Sequence, residues 1–135
     1  MDQTKFKIKG SVTFYQDGKK ILSKLNAVQP GSTNIIRRCL AGFPVSHINS
    51  MAALYNDTSL ASLTFRAGEI ELINQAPHNK IKFTKTFPRG TFTGTFNKLQ
   101  LKASVGVFSE LTGFSHEISA HHDLNVEWIL EIIIV

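Results

Sequence analysis

The last twelve residues constrain the fold more tightly than any other stretch of this chain. Residues 124–135 read L-N-V-E-W-I-L-E-I-I-I-V. Leu124, Val126, Trp128, Leu130, Ile132 and Ile134 take every second position, and all are apolar. The alternate positions begin polar with Asn125 and Glu127, include Glu131, and supply the apolar Ile129, Ile133 and Val135. A period of two belongs to a β-strand with one face on a core. The second face turns apolar toward its end, so it too needs cover: another sheet, a neighbouring domain or another copy.

A chain of 135 residues fits one domain, taken as 1–135, and can bury a real core. Hydrophobic residues at 42% against 19% charged make it globular rather than disordered. Ten of its aromatics are Phe, which has no polar atom to satisfy and suits dry cores and subunit contacts. Cys39 is the one cysteine, so no intrachain disulfide can form and a reducing compartment is expected. Its apolar helical surroundings predict a buried, inert thiol. The N-terminal residues alternate instead of running apolar, and the C-terminal run carries Glu127 and Glu131. Neither a signal peptide nor a membrane span is expected, and no membrane partner.

The net charge of +5 raises the question of nucleic acid. Lys5, Lys7 and Lys9, then Lys80, Lys82 and Lys85, are assigned to the polar sides of strands. Alternating lysines make a solvated sheet face and discourage edge-to-edge aggregation, so nucleic acid is not the expected partner.

Residues 5–15 alternate, with Phe6, Ile8, Val12 and Phe14 on one side and Gly10 among them. Asp17-Gly18 offers the positive φ of a tight hairpin, and a second strand over 20–28 is expected to turn Ile21 and Leu25 inward. A short helix follows at about 33–41. Ser32 or Thr33 is its expected cap, Ile35, Ile36, Cys39 and Leu40 lie at helical spacing, and Gly42 ends it. Beyond it, strand and turn alternate. Ile48, Ala52 and Leu54 are expected on one face over 46–55, then Ala61, Leu63 and Phe65, then Ile70 and Leu72. Ile81, Phe83 and Phe87 follow, then Phe92 and Phe96, then Leu99, Leu101, Ala103 and Val105. Residues 107–123 read as irregular. About eight to ten short strands and one helix predict an all-β, jelly-roll-like β-sandwich, with a barrel as the alternative.

Catalytic signals are sparse. No nucleophile elbow or phosphate-binding loop occurs. Glu69 and Glu71 read as partners for lysines rather than as an acid–base pair. His116, His121 and His122, with Glu117 and Asp123, are the one cluster of metal-ligand types, and their spacing follows no established metal motif. The chain is therefore expected to be non-enzymatic, with no cofactor and no metal. The segment Thr91-Phe92-Thr93-Gly94-Thr95-Phe96 reads as a strand, a cross-strand ladder or a subunit contact.

Several phrases resemble small structural proteins of tailed bacteriophages, those that decorate heads or build tails, collars and fibre attachments. They are Leu40-Ala41-Gly42, Ile48-Asn49-Ser50-Met51-Ala52-Ala53-Leu54, Phe92-Thr93-Gly94-Thr95-Phe96, Gly106-Val107-Phe108-Ser109-Glu110 and Val126-Glu127-Trp128-Ile129-Leu130. The match runs from about Asn34 onward. Where such proteins often have Gly-Thr-Gly after Leu54, this chain has Tyr55-Asn56-Asp57. The resemblance implies a virion component made in the host cytoplasm, partnered by other copies of itself and by other virion proteins. On that reading Trp128, Ile129, Ile133 and Val135 are expected near an interface, with Phe92 and Phe96 next. The alternative is a β-sandwich module for glycan or a host surface, with Tyr55 and the 116–123 loop as its expected site.

Overall fold

A computed structural model describes residues 6–44 and 47–134. In chain order it contains β1 (Phe6–Gln16), β2 (Lys19–Val28), α1 (Ser32–Leu40), β3 (Ile48–Tyr55), β4 (Thr58–Thr64) and β5 (Ile70–Leu72). Then come β6 (Lys80–Phe87), β7 (Gly94–Phe96), β8 (Lys98–Ala103), β9 (Gly106–Leu111), β10 (His116–Ile118) and β11 (Leu124–Ile134). Nine strands form one antiparallel sheet in the order β4-β3-β8-β9-β2-β1-β11-β6-β5, while β7 and β10 pair separately. The fold is all-β and sandwich-like, as the strand pattern predicts: the long sheet curls and encloses one apolar core. Two short strands, β9 and β10, lie within the stretch expected to be irregular.

The bend falls at β2. This strand pairs with β1 along most of its length but reaches β9 only through Ala27 and Val28. The terminal strand β11 is the spine of one half, paired with all of β1 and with β6 from Leu124 to Glu131. Leu124, Val126, Trp128 and Leu130 are buried in the core, whereas Ile132 and Ile134 run past its edge into the open.

Turns follow the expected chemistry. Asp17 and Gly18 both have positive φ and close β1 to β2, and Asn56 and Asp57 do the same between β3 and β4.

Three expected registers are overturned. A β-bulge at Phe14/Tyr15 steps past Ile21, so Leu22 pairs with Phe14 while Ile21 and Leu25 turn outward, Leu25 to 74% exposure. On β3 the core cluster takes Met51 and Ala53; Ala52 and Leu54 are buried on the opposite face of this interior strand. Lys85 does not belong to the solvated face. It shares the parity of Phe83 and Phe87 and is only 6% exposed.

The helix begins and ends close to its expected bounds. Gly31, not Ser32 or Thr33, is its N-cap, without a side-chain cap; Thr33 Oγ1 instead donates to the Pro30 carbonyl at 3.0 Å. Gly42 closes it at φ 75°. Ile35 is buried, but Cys39, expected inside, is exposed because the helix face it shares with Ile35 borders an unfilled cleft rather than packed sheet.

Candidate functional site

The two ends of the curled sheet differ. At the end holding the β1–β2 turn, rings fill the opening. Phe96 packs 5.5–5.6 Å from Phe14, Phe92 and Phe114, and Phe92 stands edge-on to Phe87 at 5.9 Å. The β7–β10 pair carries Phe96 and His116 over the core as a plug.

The opposite end is not filled. A cleft of about 380 Å³ opens there between α1 and the sheet. Ile35, Ile36, Cys39 and Leu40 form its helical wall, at the spacing that puts them on one helix face. Ile8, Leu130 and Ile132 come from β1 and β11. Ile70, Leu72, Ile81 and Phe83 come from β5 and β6, and Ile48 and Phe108 complete the floor. Ile35, Phe83, Phe108 and Leu130 at the bottom are buried, whereas Leu40 and Leu72 on the rim are 85% and 75% exposed. Among the described residues that line it, only His47 and Cys39 carry side chains that are not pure hydrocarbon. A surface so largely apolar lowers free energy chiefly by removing apolar groups from water.

The residues singled out from sequence do not come together. Trp128 and Phe96 are fully buried within the chain's own core, which corrects their expected place at an interface: their side chains leave no surface for a partner. Phe92 is half-buried against Phe87 and Phe96. Ile129 and Ile133 are half-buried on the other face of β11, away from Trp128. Val135 lies outside the described residues.

The histidines also diverge. His116 Nε2 lies 2.8 Å from Gln16 Oε1, and its ring packs on Phe14 and Phe96. Burial holds its pKa below the usual histidine value. His122 Nδ1 contacts the Asp17 carboxylate instead, and His121 is exposed. Asp17 is held below the usual carboxylate range first by the Asp123 backbone N–H and then by His122. No three metal-ligating side chains converge among the described residues.

Two polar clusters lie outside the cleft. Lys85 Nζ donates to Glu69 Oε1 at 2.9 Å and to the Thr64 carbonyl at 2.8 Å, tying the β4–β5 connection to β6. At the plugged end, Asn56 and Asn97 bond reciprocally, and Lys98 contacts both Asp57 and Glu110. Lys98 is held above the usual lysine value by Asp57, burial opposing, with Glu110 adding to the rise. These groups and Phe114 border a shallow depression.

Sequence reasoning missed the cleft. Its one signal was an excess: Ile36, Leu40, Ile70, Leu72, Ile132 and Ile134 are more apolar groups at one end than a core of this size covers. No protein family, no curated protein and no solved structure matches the chain.

Proposed function

We propose that this protein is a non-enzymatic building block of a virion, part of a bacteriophage head, tail, collar or fibre complex, and that it works by packing. One observation carries the reading. The apolar excess sits at one end, with Leu40 and Leu72 in the open on the rim of the cleft and Ile134 exposed beyond Ile132 on the same strand face, while the prominent ionisable clusters are occupied in internal pairs. Contiguous exposed apolar surface marks interaction sites. The phrase-level resemblance to tailed-phage structural proteins sets the setting, with other virion proteins and other copies as the partners.

The test is mass spectrometry of density-purified particles from the source lysate, with copy number scaled to the most abundant protein. Recovery in many copies per particle is the expected result. Absence from clean particles would remove the reading.

A glycan- or host-surface-binding role is the second reading. It draws on the depression where Phe114 adjoins Asn56, Asp57, Asn97 and Lys98, with Tyr55 exposed beside it. Amides, an acid and a ring edge suit a sugar. Retention on a glycan array, lost in Asp57→Ala, is its expected signature.

A further inference from the structure

The cleft adjoins the end of the sheet. β5 is its last strand, and no strand pairs with its outer edge among the described residues. The Glu69 carbonyl accepts from the Thr84 N–H at 2.8 Å, and the Ile73 N–H donates to the Lys80 carbonyl at 3.1 Å. Backbone direction alternates along a strand, so residues 69, 71 and 73 face β6, and Ile70 and Leu72 turn their N–H and C=O groups to the open edge. Their side chains pair across β6 with Phe83 and Ile81, and all four line the cleft. Open backbone groups and an unfilled apolar space therefore lie side by side, in the phase a further strand would occupy.

We propose that the cleft and the free edge of β5 are one site, which accepts an extended segment of a different polypeptide by strand addition. Its backbone bonds to Ile70 and Leu72, and aliphatic side chains at alternate positions enter the space facing α1. The proposal rests on the reading of the protein as an assembly component and names the chemistry of its partner.

Two features select this occupant. Among the described residues every strand of the chain is already paired. Its own alternating segment, β11, already pairs with β1 and β6. A free hydrocarbon would fill the cleft without engaging the edge groups of Ile70 and Leu72, whereas a strand engages both.

The test uses the full chain and a synthetic peptide alternating valine and threonine between lysine ends. Calorimetry measures binding, and amide chemical shifts locate it. The expected result is saturable binding that shifts Ile70, Leu72, Ile36 and Leu40. The same peptide N-methylated at alternate amides should bind roughly tenfold more weakly or worse, because the backbone bonds are lost. Leu72→Lys should abolish binding, and Glu71→Gln, on the opposite face, should leave it unchanged. If Leu72→Lys fails to fold, Ile70→Thr takes its place.

Absence of binding would overturn the proposal, as would shifts mapping elsewhere or binding untouched by the cleft variant. Equal affinity of the N-methylated peptide, or saturation by decanoic acid that blocks the peptide, would make the site a hydrocarbon pocket instead. A concentration-dependent dimer burying the cleft would make the occupant a second copy. Abundance in particles without peptide binding would sink this proposal alone; peptide binding with absence from particles would sink only the virion reading.

Discussion

Gly10 on β1 lies opposite Asn26 on β2, and the side chain that Gly10 lacks is the space the Asn26 amide occupies. A Cβ at Gly10 would stand 2.1 Å from Asn26 Oδ1. From there Asn26 Nδ2 reaches Ser109 Oγ on β9, and Ser109, fully buried, donates to the Ala27 carbonyl at 2.9 Å. The three residues join β1, β2 and β9 where the sheet bends. Gly10→Ala should destabilise the fold by about 1–3 kcal/mol, the usual range for forcing volume into packed space. Gly10→Ala with Asn26→Ala should cost less than the two single changes added, since the second removes the clash created by the first. Chemical denaturation of the four proteins in the cycle measures this.

The Lys85–Glu69 pair yields a second expectation. Burial pulls the Glu69 carboxyl upward, but the hydrogen bond from Lys85, the Arg66 backbone N–H and the charges of both residues outweigh it. The carboxyl therefore sits below its ordinary 4.5. A depressed acid contributes stability that is present above pH 4.5 and lost as pH falls through the folded value. Glu69→Gln should flatten the acid limb below that point. At neutral pH Glu69→Ala should cost about 3 kcal/mol by leaving Lys85 buried without its counter-charge, whereas Lys85→Met should be far milder. Melting curves across pH 3–7 separate the cases.

His116 acts in a higher window. Burial lowers its pKa from 6.5, so the folded ring stays neutral where the unfolded ring takes up a proton. Its stability contribution is present above 6.5 and lost as pH falls below that value. The wild-type melting temperature should decline as pH falls below 6.5. In His116→Phe, which keeps a ring against Phe14 and Phe96, that decline should be absent.

How much of this was legible in the sequence depends on whether the local pattern stood alone. The β11 alternation, the Asp17-Gly18 turn and the helix ending at Gly42 were readable because each signal is complete within a few residues. The register of β2 was not, because one bulge at Phe14/Tyr15 inverts every later side chain and leaves no mark in composition. The placement of Lys85 inside required knowing that Glu69 and the Thr64 carbonyl would meet it. The parity Trp128 shares with Leu124, Val126 and Leu130 already pointed it inward, yet only the curled sheet shows how fully it and Phe96 are covered. The cleft was least legible of all, since it is defined by what seven separated segments fail to cover.

That uncovered end supplies the last expectation. Leu40 and Ile134 are 85% and 75% exposed, so they add little to folding, and Leu40→Gln/Ile134→Thr should change stability by no more than about 0.5 kcal/mol per site. Leu130, on the same strand face as Ile134 but buried, is the contrast: Leu130→Ala should cost about 2–5 kcal/mol by opening a hole in the core. If the exposed rim serves assembly, the double variant should fold normally, lose affinity for apolar dyes and fail to enter particles when it replaces the wild type. Each outcome is read separately, by melting, dye fluorescence and particle mass spectrometry. Normal incorporation of a double variant whose apolar rim is gone would mean that the particle holds this protein by another face, and the rim would then need a different explanation from the one argued here.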